Sequence, residues 1–303
     1  MKSIAVFVMR GRSAAVLIAA STAVLFWLFP PLLIVSGAVV ALVTLRRGAA
    51  EGALLAVLAG SSAGALAGLL LGLGAMWPMV SVLLACWTPL WILAWLLRAT
   101  VSLSVTLRAV ALLGLLGVGG FYLVLGDPAV WWSQTLDGLR QGLTTLPSGE
   151  RATLEQLLDL LRSWAPLLPG QVVSAALLFV LAGLLLGRWW QALLFNPGGF
   201  RPEFHQLRLG RPLALLALAL FGAAVLSGWP ALSNLVLVLG TLYSVQGIAV
   251  AHALVFKLRL SPAWLLLLYL FLVPLLSQLV MALGIADAWA DFRTRVRPRP
   301  SKP

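Results

Sequence analysis

Cysteine is almost missing from this chain: Cys86 stands alone inside an apolar run, so neither a disulfide framework nor a thiolate metal site can form within it. Histidine is nearly as scarce, and His205 and His252 lack the i,i+4 partner and third ligand that zinc needs. Charge is thin as well. Only 10% of the 303 residues are charged, against about 25% in a soluble domain. A mean hydropathy of +1.02 excludes a water-soluble globule. Of the nine acidic residues, five fall between Asp127 and Asp159, and none lies in the middle of an apolar segment. The acid relays of proton pumps and the carboxylate cation sites of many secondary transporters are therefore missing, which argues against ion-coupled transport. There is no Walker loop, no serine elbow and no pair of intramembrane aspartates. The expectation is a protein that is not an enzyme, with no catalytic residue, no metal and no cofactor.

What is present is apolar length. Residues 13–45, 52–97, 109–126 and 212–256 carry no charged side chain. About 20 such residues cross a bilayer as a helix, and the short period-2 segments of an outer-membrane barrel are absent. The fold class expected is all-α, a polytopic transmembrane helical bundle forming one integral domain over 1–303. Nine apolar segments can be marked, at 14–29, 31–45, 51–73, 77–97, 109–126, 171–194, 212–228, 231–256 and 262–284. The first two are short and meet at Pro30–Pro31, where two amide donors are lost. The N-terminus resembles a signal peptide, but its apolar character continues past Ala23 to Leu45, so it reads as an uncleaved first helix.

The formal charge of +12 follows membrane topology rather than nucleic-acid binding. Outside residues 127–162, eighteen bases face four acids, and they sit in short loops and tails. Lys2, Arg10 and Arg12, then Arg46 and Arg47, Arg98 and Arg108, and Arg188 through Arg211 share one side if the N-terminus is cytoplasmic and every segment crosses. Residues 127–170 then form an extracytoplasmic loop. The scheme conflicts at the end, where Lys257 and Arg259 precede the last segment and the basic tail, 286–303, follows it. Keeping both termini cytoplasmic requires an even number of crossings. Either 212–228 is a half-helix before Trp229–Pro230, or Pro274 turns the last segment back as a re-entrant element. Eight crossings are expected, with nine as the alternative.

Within the long loop, Leu154, Leu157, Leu158, Leu161 and Trp164 recur at three- and four-residue spacing opposite Glu155, Asp159 and Arg162. This is an amphipathic helix, opened by Pro147 and Ser148 and closed by Pro166 to Gly170. It either shields helix ends or gates access to them. Two stripes of small residues stand out: Gly60, Gly64, Gly68 and Gly72 at four-residue spacing, and Ala15, Ala19 and Ala23 along the first helix. Such stripes let helices approach closely inside a bundle or dock a partner helix.

Polar residues inside apolar spans need partners or a cavity. Asn234, Tyr243 and Gln246, with Ser277 and Gln278 in the last segment, are the candidate ligand-binding set; interhelical hydrogen bonding is the other reading of the same residues. The loop from Asn196 to Arg211 mixes aromatic and basic residues and suits anionic headgroups. Asp287 and Asp291, four apart, could pair with Arg201 or Arg211.

The Pro30–Pro31 helix pair, LRRGAAEG from Leu45 to Gly52, GFRPEFHQLRLGR ending at Arg211, YSVQGIAV from Tyr243 and GIADAWADFR from Gly284 together resemble the YybS-like family of bacterial polytopic membrane proteins. That resemblance implies a multi-pass protein of the bacterial cytoplasmic membrane. It also implies a distant likeness to the S components of energy-coupling-factor transporters, whose first helix docks a coupling subunit through small residues. The Ala15, Ala19 and Ala23 stripe has that spacing. Two functions are expected: a transporter-like small-molecule binding component that depends on partner subunits, or a non-transporting membrane scaffold or assembly factor. The expected partners are the lipid bilayer and other membrane subunits, and not nucleic acid.

Overall fold

The computed structural model describes residues 1–142 and 148–296; Pro147, Arg297, Arg299 and Lys302 lie outside the described residues. The described elements are all helical: α1 (Lys2–Met9), α2 (Arg12–Val24), α3 (Leu32–Arg47), α4 (Ala49–Leu71), α5 (Met76–Thr100), α6 (Leu103–Leu125), α7 (Pro128–Gly142), α8 (Ser148–Trp164), α9 (Leu168–Phe195), α10 (Phe200–His205), α11 (Arg211–Ser227), α12 (Pro230–Lys257), α13 (Ala263–Leu267), α14 (Val273–Leu275), α15 (Ser277–Ala290) and α16 (Phe292–Arg295). The breaks follow local chemistry. Gly48 separates α3 from α4 at φ 111°, and Gly210 and Gly228 bound α11 at positive φ, conformations that cost glycine little. Pro230 opens α12 at a position where its missing N–H would have had no helical partner.

Five helical runs are long and apolar enough to cross a membrane: Ala49–Leu71, Leu73–Thr100, Leu103–Leu125, Arg151–Phe195 and Pro230–Lys257, and a sixth is reached if a bent pair near the C-terminus is one span. Length and composition thus establish five or six of the eight or nine crossings expected from hydropathy. The apolar segments behind the difference are helical but short: Arg12–Trp27, Leu32–Arg47 and Arg211–Ser227 have 16 or 17 residues. At 1.5 Å per residue they reach about 25 Å against a hydrocarbon core of ~30 Å. In the five runs, only 28% to 50% of the apolar window is buried by protein. Apolar surface on that scale is unstable in water and matches lipid, so this is a membrane protein of several apolar helices.

The backbone divides into two compact units, Met1–Val110 with Ala176–Arg208, and Ala111–Ala175 with Leu209–Pro303. In the first unit α3 is the core. Eleven of its sixteen residues are buried, among them Leu42 and Val39 with no exposed surface. A helix apolar on all sides can only be enclosed, and α2, α4 and α5 pack around it. The remaining side meets α9 at a Gly183-x-x-x-Gly187 step: a Cβ on Gly187 would stand 2.6 Å from Ala41 Cβ and 2.9 Å from the Ala38 carbonyl oxygen.

In the second unit α12 and α15 are joined by an equally close contact. A Cβ on Gly284 would overlap the Tyr243 carbonyl oxygen, and one on Gly247 would overlap the Val280 carbonyl oxygen. Between these helices, α13 passes through a π-helical stretch, Leu268–Leu272, into α14, and the chain then breaks at Leu276 (φ −130°, ψ 40°) just after Pro274. The axes on either side are bent by 107°. Lys257 at the end of α12 donates to the Arg293 carbonyl oxygen at 2.7 Å. The contacts at Gly247–Gly284 and again at Lys257–Arg293 show that α12 and α15 run side by side in the same direction. The chain from 258 to 292 thus leaves one end of the second unit and returns to it.

The amphipathic helix expected in the long loop is α8. It pairs antiparallel with α7 through Arg140–Asp159 (2.7 Å) and Arg162–Asp137 (3.2 Å), while Leu157, Leu160 and Trp164 remain about half exposed.

Candidate functional site

The residues selected from sequence fall into two groups. Asn234, Tyr243 and Gln246 have no exposed surface, whereas Ser277 and Gln278 are exposed at the start of α15, beside the break. Asn234 is enclosed by its own partners: its Oδ1 accepts the Gly170 N–H at 2.8 Å, and its Nδ2 faces Tyr122 Oη (3.0 Å) and the carbonyl oxygens of Pro166 (2.8 Å) and Pro230 (2.9 Å). Gln246 Oε1 accepts the Leu209 N–H at 2.7 Å and its Nε2 donates to the Gly284 carbonyl at 2.8 Å. Tyr243 Oη donates to the Gly210 carbonyl at 3.0 Å. These amides complete backbone groups where helices end, which in an apolar interior would otherwise be left unsatisfied. Three of the five residues therefore act as links between α12 and its neighbours, and the exposed Ser277 and Gln278 are not among the groups these links join.

The two small-residue stripes are covered inside the first unit. Ala15, Ala19 and Ala23 are buried, and Ser36 on α3 donates to the Ala19 carbonyl at 2.8 Å. Gly60, Gly64 and Gly68 face Trp87, Val80 and Met76 on α5, and Gly72 ends α4 at φ 96°. Close helix packing within the chain uses both stripes.

The concave site that sequence reading missed lies in the first unit. A cavity of about 230 Å³ is lined by Leu45, Leu97, Arg98, Val101, Arg188, Gln191, Phe195, Asn196 and Glu203. Four chain segments supply it: the last turn of α3, the end of α5, the end of α9 and the short helix α10. Arg188 is buried to 8% exposure and forks onto Glu203, its Nε donating to Oε2 at 2.9 Å and its Nη2 to Oε1. Arg98 Nη1 donates to the Leu45 carbonyl at 2.6 Å, and Gln191 Nε2 reaches the same oxygen at 3.5 Å. Arg46 stacks over the Phe195 ring with 4.2 Å to its centroid. Val101 closes α5 in the left-handed conformation, φ 50°, a strained geometry for a β-branched residue.

The same end of the unit collects its other bases. Arg12 Nε donates to Glu51 at 3.0 Å and Arg47 donates to the Met9 carbonyl at 2.9 Å. The signal was in the sequence as Arg188 and Gln191, three apart and so on one helix face, with Glu203 following an Asn-Pro-Gly-Gly turn. Reading those bases only as topology markers hid it. In the second unit, Asp287 pairs with Arg293 rather than with a loop arginine, both nearly without exposure, while Arg211 holds the tail through the Ala288 carbonyl at 3.1 Å. Among the described residues no cluster of three metal-ligating side chains occurs.

Residues 141–288, just under half of the chain, match the model of a family described as Predicted membrane protein (DUF2232). The matched stretch contains Arg188, Gln191, Asn196 and Glu203 as well as Asn234 and Gln246. No curated protein and no solved structure matches the chain.

Proposed function

From a membrane-protein family match that takes in most of the cavity, we propose that this chain serves in a bacterial cytoplasmic membrane as a transporter-like small-molecule binding component, with the cavity at Arg98, Arg188, Gln191 and Glu203 as its site. The observation that carries the reading is a recess bearing Arg98, Arg188, Gln191, Asn196 and Glu203 at the basic end of an otherwise apolar bundle. Ionisable groups within a membrane bundle are costly unless they are paired or face a wet cavity, and such places are where solutes bind. The protein has no nucleotide-binding loop, so active transport would draw energy from partner subunits. The distant likeness to S components favours the same division of labour, although the Ala15 to Ala23 stripe is spent on internal packing.

The topology that fits is eight crossings, with α2, α3, α4, α5, α6, α9, α11 and α12 spanning and α13 to α15 re-entrant. The return of the chain from Lys257 to Arg293 supports it, since the basic groups outside the 127–170 loop then share the cytoplasmic side. The short spans suit a locally thinned bilayer.

A scaffold or assembly factor is the competing reading, favoured by the half-exposed Leu157, Leu160 and Trp164 of α8. Purification from native membranes in mild detergent, with mass spectrometry of co-purifying solutes and proteins, tests both. A stoichiometric solute lost in a Gln191→Leu variant is the expected result. Envelope-assembly proteins with no solute would replace the binding reading with the scaffold.

A further inference from the structure

Resting on that reading of the cavity, we infer that its ligand is a phosphate-bearing anion. The charge balance of the lining is positive: Arg98 and Arg188 against the single carboxylate of Glu203, with Arg46 stacked on the lining ring of Phe195. Arg98 is exposed, spends one donor on the Leu45 carbonyl and makes no ion pair among the described residues. Its planar fork carries five N–H donors, so most remain for a ligand. Gln191 and Asn196 add neutral amides on the wall. Arginine forks with amide donors are the set that suits an oxyanion with several oxygens, where lysine would give only a point charge. The volume of about 230 Å³ is below the ~300 Å³ at which drug-sized pockets begin, and so suits a headgroup or a small phosphoester.

Glu203 is the built-in rival. It lies on α10, a six-residue helix reached through Gly198 at φ 86° and left before Gly210 at φ 96°, and it holds the buried Arg188. An entering anion meets the open Arg98 first and competes with Glu203 for Arg188. Two sources share this chemistry, the headgroup of an anionic phospholipid and a soluble phosphate ester; basic pockets at the cytoplasmic ends of spanning helices take such headgroups.

The test uses the full chain in a neutral detergent. Inorganic phosphate is titrated while the melting temperature is followed, and native mass spectra are taken from nanodiscs of phosphatidylglycerol and of phosphatidylcholine. Phosphate should raise the melting temperature. Arg98→Gln, at an exposed position, should weaken the response roughly tenfold, the loss of about one charge-assisted contact. Glu203→Gln should strengthen it, because Arg188 loses its internal carboxylate, and Glu203→Asp should restore the original response. One-to-one phosphatidylglycerol adducts that vanish in Arg98→Gln identify a lipid source; a phosphate response without such adducts identifies a soluble one. A response equal in the parent, Arg98→Gln and Glu203→Gln proteins overturns the anion site. A neutral solute lost in Gln191→Leu, with no phosphate response, overturns the anion assignment and leaves the solute-binding reading in place.

Discussion

Lys257 donates to the backbone carbonyl of Arg293 at 2.7 Å, although 35 mostly apolar residues lie between them. Two basic groups that hydropathy alone would put on opposite sides of a membrane are therefore neighbours. The bend of 107° at Leu276 is what allows it. With Cys86 replaced by alanine, single cysteines at Arg259 and Arg295 should both react with an impermeant thiol reagent from the cytoplasmic side. Labelling from opposite sides would remove the return.

The helix crossing in the second unit depends on two glycines. Gly284→Leu or Gly247→Leu drives a side chain into a backbone carbonyl of the facing helix, where no flexible group can yield. The expected cost is about 3 kcal/mol or more, at the upper end of overpacking effects. Thermal unfolding in detergent should show it, and a variant with unchanged melting would mean that the two helices are not in this contact.

Asn234→Leu keeps the size of the side chain and removes its bonds to Gly170, Pro166 and Tyr122. Leaving a buried amide N–H and carbonyl unpaired costs roughly 1–3 kcal/mol. The variant should melt earlier but keep the solute or phosphate response of the cavity. Loss of that response with unchanged melting would assign Asn234 a binding role.

Asp287 and Arg293 form a buried pair, so breaking one side leaves a charge stranded. Asp287→Asn should destabilise by about 3–5 kcal/mol, and the double variant Asp287→Asn, Arg293→Met should recover most of it. Equal melting of the single and double variants would show the pair to be uncoupled.

Val101 holds a left-handed backbone that costs an L-residue about 1–2 kcal/mol. Its side chain is 76% exposed, so little packing is lost on removal. Val101→Gly should therefore stabilise the protein by roughly 0.5–1 kcal/mol after glycine's greater chain entropy is counted. A lower melting temperature would contradict this.

Much of the fold was legible because hydropathy sees length and charge. The long apolar helices and the amphipathic α8 follow from residue spacing, while the break after Pro274 is one of two alternatives that the spacing leaves open. What hydropathy could not see was distance between elements. Gly183 and Gly187 look no different from Gly64 and Gly68 in the sequence, yet the first pair meets the backbone of α3 and the second the side chains of α5. Asn234 and Gln246 are visible in the sequence as polar groups that require partners, but a backbone N–H as partner leaves no mark there. Arg188 and Glu203 stand fifteen residues apart across a turn, and their pairing appears only when α10 folds back.

The enclosure of α3 has a consequence for how the chain is made. Its Gly37, Ala38 and Ala41 face is covered by Gly183 and Gly187, which leave the ribosome about 150 residues later. At ~5–20 residues per second that is a wait of roughly ten to thirty seconds. For that interval a groove one helix wide stands open in the half-built first unit, and anything else in the membrane with a smooth enough helix can sample it before α9 arrives.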